Sequence, residues 1–177
     1  MATSVLIPIS EYLKTTYRPD REYLDGEVVE RHVGKWEHSR VQALLTGWFI
    51  QHERSWNIQT ATEWRTQVSS TRVRIPDLVL VRSGAQPEVL EDAPLLVIEI
   101  LSPDDSYSDT QQRAEDYLRM GVTTIWIIDP STRTGRVCSG SNWMQRERLE
   151  VAGTAIYVPL DRVFEALVSG GVVEETK

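Results

Sequence analysis

With 177 residues, 41% of them hydrophobic and 25% charged, the chain has the size and composition of one soluble globular domain, expected to span residues 1–177. Its single cysteine, Cys138, excludes an internal disulfide framework and a cysteine-based zinc site, and no apolar run approaches the roughly 20 residues that a membrane span needs. A net charge of −7 argues against a protein that coats duplex DNA by charge alone; it weighs less against one whose carboxylates hold a cation, because the cation offsets them.

The opening stretch MATSVLIPISEYLK has no basic region ahead of its short apolar run. No signal peptide is read there, and a cytoplasmic location is expected. In ISEYLKTTY, Ile9, Tyr12, Leu13 and Thr16 recur at helical spacing, with Ser10 a candidate cap. Asp25-Gly26 between two extended stretches marks a hairpin whose second strand begins at Glu27. Val41, Leu44, Leu45, Trp48, Phe49 and His52 then predict an amphipathic helix from about Trp36 to His52. His38 lies on or beside its buried stripe. Extended stretches follow: WNIQTATEWRTQV, then VRIPDLVLVR, where Pro76 signals an edge or a bulge in a central strand.

PLLVIEIL predicts a fully buried strand. Asp109 to Gly121 predicts a helix capped by Ser108 or Asp109, with Ala114, Tyr117 and Leu118 inside and Gly121 as its stop. VTTIWIIDP predicts another buried strand, and a strand–helix–strand crossover of this length predicts a parallel pair. A hairpin (TGRVCSG with NWMQRERLEV), a short strand AIYVPL and a helix DRVFEALVSG complete the chain. The expected fold is α/β: a mixed central sheet flanked by helices, with an N-terminal helix and hairpin.

Glu99 stands in the middle of an apolar strand, where an ionised carboxylate is costly unless something pairs with it. Side chains alternate across a strand, so Glu99 shares a face with Val97 and Leu101, and Asp77 shares one with Val79 and Val81. If the two strands are neighbours, Asp77 and Glu99 converge near one end of the sheet. Two converging, partly dry carboxylates suit a hard divalent cation such as Mg²⁺ or Mn²⁺. Such a cation can organise a water for attack on a phosphoryl group. A structural reading stands beside this one. Asp77 can cap a turn after Pro76, and Glu99 can pair with an arginine such as Arg74 or Arg113.

Pro76-Asp77, Glu99 on the next core strand, Ser102-Pro103, the following helix and GVTTIWIIDP, taken with EYLKTTYRPDREYLDGEVVER and the helix carrying His38, occur here in one order. That order resembles a large bacterial family of restriction-endonuclease-like proteins, long catalogued as a domain of unknown function, within the PD-(D/E)XK nuclease superfamily. The likeness covers nearly the whole chain. It implies a restriction-endonuclease-like core in which Asp77 and Glu99 ligate Mg²⁺ or Mn²⁺, with the main-chain carbonyl of Ile100 as a third ligand. It further implies an acidic residue from an N-terminal element, best matched by Glu27, and a site histidine, His38, which a core hydrogen bond would explain equally. The superfamily's lysine would fall at Leu101, which can neither activate water nor stabilise a phosphorane. In this family the basic residue moves to the next helix, where Arg113 is offered. Arginine can bind a phosphate oxygen but is a poor general base. Arg113 can equally be a surface residue paired with Asp109 or Asp116. Gln111 is a further candidate to point inward.

Cys138 in a hairpin gives no support for thiol chemistry, and neither a phosphate-cradling glycine loop nor a nucleophile elbow is present. The six tryptophans can stack on bases, fill a core or line a dimer interface. Three readings follow. The first is a metal-dependent endonuclease acting on DNA as a homodimer, with Asp77 and Glu99 on the metal, Glu27 and His38 positioning metal or water, and Arg113 on the phosphate. The second is a catalytically weak or inactive relative that binds nucleic acid or serves assembly. The third is a set of carboxylates that make only internal salt bridges.

Overall fold

The computed structural model describes residues 6–32, 34–140 and 142–175. Helix α1 (Ile9–Lys14) leads into a hairpin, β1 (Arg21–Leu24) and β2 (Glu27–Glu30). Its two turn residues both have positive φ, 53° at Asp25 and 103° at Gly26. This is the geometry that Asp-Gly favours between twisted strands. Helix α2 (Trp36–Trp56) follows, and Asn57 ends it in the left-handed conformation. Then come β3 (Ile58–Thr62), β4 (Thr66–Ser69), β5 (Arg72–Arg74), β6 (Leu78–Arg82) and β7 (Leu96–Ile100). Helix α3 (Tyr107–Met120) crosses to β8 (Ile125–Asp129). The chain closes with β9 (Thr134–Ser139), β10 (Asn142–Gln145), β11 (Arg148–Glu150), β12 (Tyr157–Pro159) and α4 (Leu160–Ser169).

The central sheet is mixed, with six strands in the order β10-β9-β8-β7-β6-β3. Only β7 and β8 run parallel in it, joined by the α3 crossover. Its two faces carry different cores. Leu78, Leu80, Leu96, Ile98 and Trp126 pack against α2 and α4. Val79, Val97, Ile125 and Ile127 pack against Ala114 and Tyr117 of α3. Alternation therefore puts Glu99 on the α3 face, beside Val97. Among the described residues no helix is long and apolar enough to cross a membrane.

Three expectations need correction. VRIPDLVLVR is two strands, not one: β5 joins a second sheet, ordered β2-β1-β5-β4, while β6 lies inside the central sheet between β3 and β7. Pro76 has no N–H to give a ladder, so the chain leaves one sheet and enters the other there, and Glu63 N–H donates to the Pro76 carbonyl (3.1 Å). The residue capping α1 is Pro8, not Ser10. The cap of α3 is Ser106, whose hydroxyl accepts from Asp109 N–H (3.1 Å). The helix therefore begins at Tyr107, one residue before Ser108 and two before Asp109.

The small sheet is locked to α3 by buried charge. Arg74 donates from Nη1 to Glu22 Oε2 (2.7 Å) on β1 and from Nε to Asp116 Oδ2 (2.8 Å) on α3. Arg72 adds a bond from Nη1 to Asp116 Oδ1 (3.0 Å), and Ile75 N–H donates to Glu22 (3.2 Å). Glu22, Arg74 and Asp116 are all buried. Removing the shared cation leaves buried Glu22 without its ion partner and Asp116 with only Arg72 and a long contact to Arg119, so Arg74→Ala is expected to lower stability by about 3–5 kcal/mol. Urea denaturation measures this; a loss below about 1 kcal/mol would mean that water, not Arg74, neutralises them.

Candidate active site

The β6–β7 register pairs Leu78 with Ile98. Continued by one residue, it sets Asp77, just before β6, opposite Glu99. Both side chains are buried, each residue 3% exposed. The two acids therefore meet at one end of the sheet, where Pro76 has turned the chain into β6.

Each carboxylate has its own partners. Asp77 Oδ2 accepts from Ile100 N–H (2.7 Å) and lies 3.3 Å from His38 Nε2; Oδ1 lies 3.3 Å from Arg31 Nη2. The Asp77 carbonyl accepts from Gln42 Nε2 (3.0 Å). His38 and Gln42 stand one helical turn apart, so the start of α2 approaches Asp77 through both. Glu99 Oε1 accepts from the Tyr117 hydroxyl (2.5 Å), and Oε2 lies 3.7 Å from Arg113 Nη1. Arg113 reaches also toward Asp105 Oδ1 (3.6 Å), which lies 3.3 Å from His32 Nδ1. Asp105 is fixed by Ser102 N–H, which donates to its other oxygen (2.7 Å).

A cavity of about 10 Å³ sits among these groups, lined by Arg31, His32, His38, Asp77, Ile100, Ser102, Asp105 and Arg113. That is about one water-sized sphere. His38 Nδ1 is buried with no hydrogen-bond partner. It packs on Gly34, where an added Cβ would stand 2.5 Å from it. Glycine at 34 is what leaves room for the imidazole.

Burial pushes the Glu99 carboxyl up to about 7, and the charge of Asp77 adds to the effect; Arg113 and the Tyr117 hydroxyl oppose it. For His38, burial disfavours the imidazolium, but contact with Asp77 outweighs it and the pKa sits above the ordinary histidine value. Arg113 stays protonated, because the Glu99, Glu22 and Asp105 charges outweigh its burial.

Of the residues singled out in the sequence, Asp77, Glu99, Ile100, His38 and Arg113 come together here. Glu27 does not join them: it is exposed at the start of β2 and is absent from the cavity lining. The buried acid of that hairpin is Glu22, whose charge acts on Glu99, Arg113 and Tyr117. Gln111 is exposed and bonds Glu115. Arg113 pairs with neither Asp109 nor Asp116, and Arg74 is taken by Glu22 and Asp116. Arg31, His32, Asp105 and Tyr117 were missed. For Tyr117 a signal existed, since it lies one turn from Arg113. Glu22 gave none: Glu22 and Tyr23 are both buried, so β1 shows no alternation.

The sequence model of the Uma2 family, described as "Putative restriction endonuclease", matches residues 9–166. The chain belongs to this family. The match runs from α1 into α4 and contains every residue lining the cavity. Among solved structures, the Uma2 chain resembles the crystal structure of "a putative nuclease belonging to DUF820 from Anabaena variabilis", with a TM-score of 0.80 at 21% identity, covering 91% of this chain and 99% of that one. The two share a fold. A weaker likeness, TM-score 0.45 at 15% identity over 77% of this chain and 11% of the other, is to a DrdV–DNA complex and carries no argument. No curated protein matches.

A raised carboxyl pKa has a defined sign in stability. The folded protein holds the Glu99 proton more tightly than the unfolded chain, so the contribution is full below pH ~4.5 and is lost as pH rises through about 7. Glu99→Gln is expected to stabilise the protein more at pH 8 than at pH 5. The difference should reach up to roughly 3 kcal/mol, at about 1.4 kcal/mol per pKa unit. Urea titrations of both proteins at the two pH values measure it; equal increments would show that Glu99 titrates as an ordinary carboxyl.

Proposed function

We propose that the protein is a divalent-cation-dependent endonuclease that hydrolyses phosphodiester bonds in DNA. The observation that carries this reading is the pair of buried carboxylates, Asp77 and Glu99, set opposite each other beside a small polar cavity. Burial, and after it the charge of Asp77, raises Glu99 despite Arg113, so a cation between them would relieve a cost already present. The donors are hard oxygens and suit Mg²⁺ or Mn²⁺. Among the described residues no group of three or more His, Cys, Asp and Glu side chains is arranged for a metal. The ligand set is then two carboxylates and the Ile100 carbonyl, completed by water, as Mg²⁺ commonly accepts. When bound, the cation supplies Lewis acidity and makes a bound water more acidic.

The chain's own groups complete the site. Arg113 reaches from α3 with a charge that does not titrate away, and its donors suit the non-bridging oxygens of a phosphate. It stands in for the lysine missing at Leu101, which is partly buried against the α3-side core. A permanently charged arginine cannot take a proton from water. His38, oriented by Asp77 and with Nδ1 unpartnered, can hold or pass a proton near neutral pH. One chain carries one such cluster, so cutting both strands calls for two, and a homodimer is the form proposed.

A second reading, a weak or inactive relative that binds nucleic acid, is favoured by one observation: each carboxylate already faces an arginine, and the cavity is small. Metal titration and plasmid nicking separate the two. At 100 times its Kd, Mn²⁺ should stabilise the wild type by about 2.7 kcal/mol, and Asp77→Asn should abolish the increment. Wild type should nick supercoiled plasmid in Mn²⁺, and Arg113→Ala should slow it by about 10²–10³, the usual loss for removing one charge-stabilising donor. Plasmid binding without nicking would favour the second reading; the absence of any Mn²⁺ stabilisation would sink the first.

A further inference from the structure

Between β2 and α2, three basic side chains face four acidic ones across the site. Arg31 Nη2 lies 3.3 Å from Asp77, and its Nη1 lies 3.8 Å from Glu63. His32 Nδ1 lies 3.3 Å from Asp105, and Lys35 Nζ lies 3.5 Å from Asp104. The Arg31 contacts are long. Elsewhere in the molecule an arginine with a settled structural role looks different: Arg65 grips Asp20 through Nε at 2.9 Å and Nη2 at 2.5 Å. Arg31 makes one hydrogen bond to Asp77, at 3.3 Å, from a group with five donors, and its side chain is 17% exposed. It is weakly held and partly open to solvent, and among the described residues most of its donors are unused.

We infer that Arg31 is a partner-exchanging residue: it neutralises Asp77 when no cation is bound, and turns to a phosphate of the nucleic-acid backbone when a cation takes Asp77. The inference rests on the cation-dependent reading of the site. A dication on Asp77 would withdraw the negative charge that holds Arg31 and repel the guanidinium, and the single 3.3 Å contact opposes its release little. The displaced group stays beside the cavity, five residues before the start of α2 at Trp36, and its planar fork matches a phosphate. Asp77 and phosphate thus compete for one arginine. By linkage, cation and phosphodiester then bind with positive coupling through Arg31, and each strengthens the other by the same factor.

The test reads two affinities with opposite expected signs. Mn²⁺ binding to the protein alone is followed by the loss of free-Mn²⁺ EPR signal. Binding of a fluorescein-labelled phosphodiester oligonucleotide is followed by anisotropy in Ca²⁺. In Arg31→Gln, Mn²⁺ should bind about tenfold tighter and the oligonucleotide about tenfold weaker, within the usual range of coupling between sites. A methylphosphonate oligonucleotide, which lacks the backbone charge, should not distinguish the variant from wild type. A residue with a merely structural role would move both affinities the same way or neither. If wild type binds both ligands and Arg31→Gln changes neither, or weakens both, partner exchange is wrong and the nuclease reading survives. If wild type binds neither ligand, both fall. Should Arg31→Gln not fold, Arg31→Lys decides: it should leave Mn²⁺ affinity unchanged and weaken the oligonucleotide about threefold, since a point charge replaces a fork; equal oligonucleotide affinity would overturn the proposal.

Discussion

The structure is organised around one unfavourable pair: Asp77 and Glu99, two buried carboxylates facing each other from adjoining strands. Two like charges this dry do not both ionise without help. The help comes from three directions. From α2 comes His38; from the segment before it comes Arg31; from α3 come Arg113 and the Tyr117 hydroxyl. None is a close bidentate ion pair, and the arginine contacts are 3.3 and 3.7 Å. The cluster neutralises its acids loosely, in contrast to the tight Glu22–Arg74–Asp116 network a short distance along the same helix.

That contrast explains the division of labour within α3. Arg113, Asp116 and Tyr117 lie within about one turn, so they share a face. Asp116 is bound by Arg72 and Arg74 of the small sheet, which fixes the helix in rotation and height. Arg113 and Tyr117 are then presented to Glu99 without having to anchor the helix themselves. The Ser106 cap and Gly121 stop set its two ends. The small sheet, none of whose strand residues lines the cavity, thereby becomes part of the site's support.

Much of this was legible in the residues, and the rest failed for identifiable reasons. Alternation placed Glu99 with Val97 and Asp77 with Val79, and the antiparallel β6–β7 pairing then brought the two acids together. The α2 stripe located His38 beside the core. Asp25-Gly26 specified the hairpin turn. Alternation could not separate Glu22 from Glu27, because the two sit on a hairpin whose burial is decided by α3 and Arg74, not by its own strand pattern. Arg31, His32 and Asp105 belong to connecting segments with no periodicity, so only the folded arrangement puts them on the cavity. Pro76 was recognised as an interruption, but a single missing N–H does not say whether a strand bulges or changes sheet.

The substitution at Leu101 bears on how charge is delivered to the site. A lysine at position 101 would sit just past the end of β7, with a titratable amine that can shift when buried. An arginine on α3 brings a positive charge that persists at any pH the protein meets, held between Glu99 and Asp105. In the proposed nuclease reading, such an arginine would still stabilise a phosphate, while proton transfer from that residue would be lost. On that reading, proton transfer would fall to other groups: His38 on the cavity lining, raised by contact with Asp77 against its burial, and Glu99, raised by burial and by that same aspartate. Asp77 therefore acts on both, so the proposed hydrolysis would draw its proton-transfer groups from the neighbours that this aspartate has already shifted.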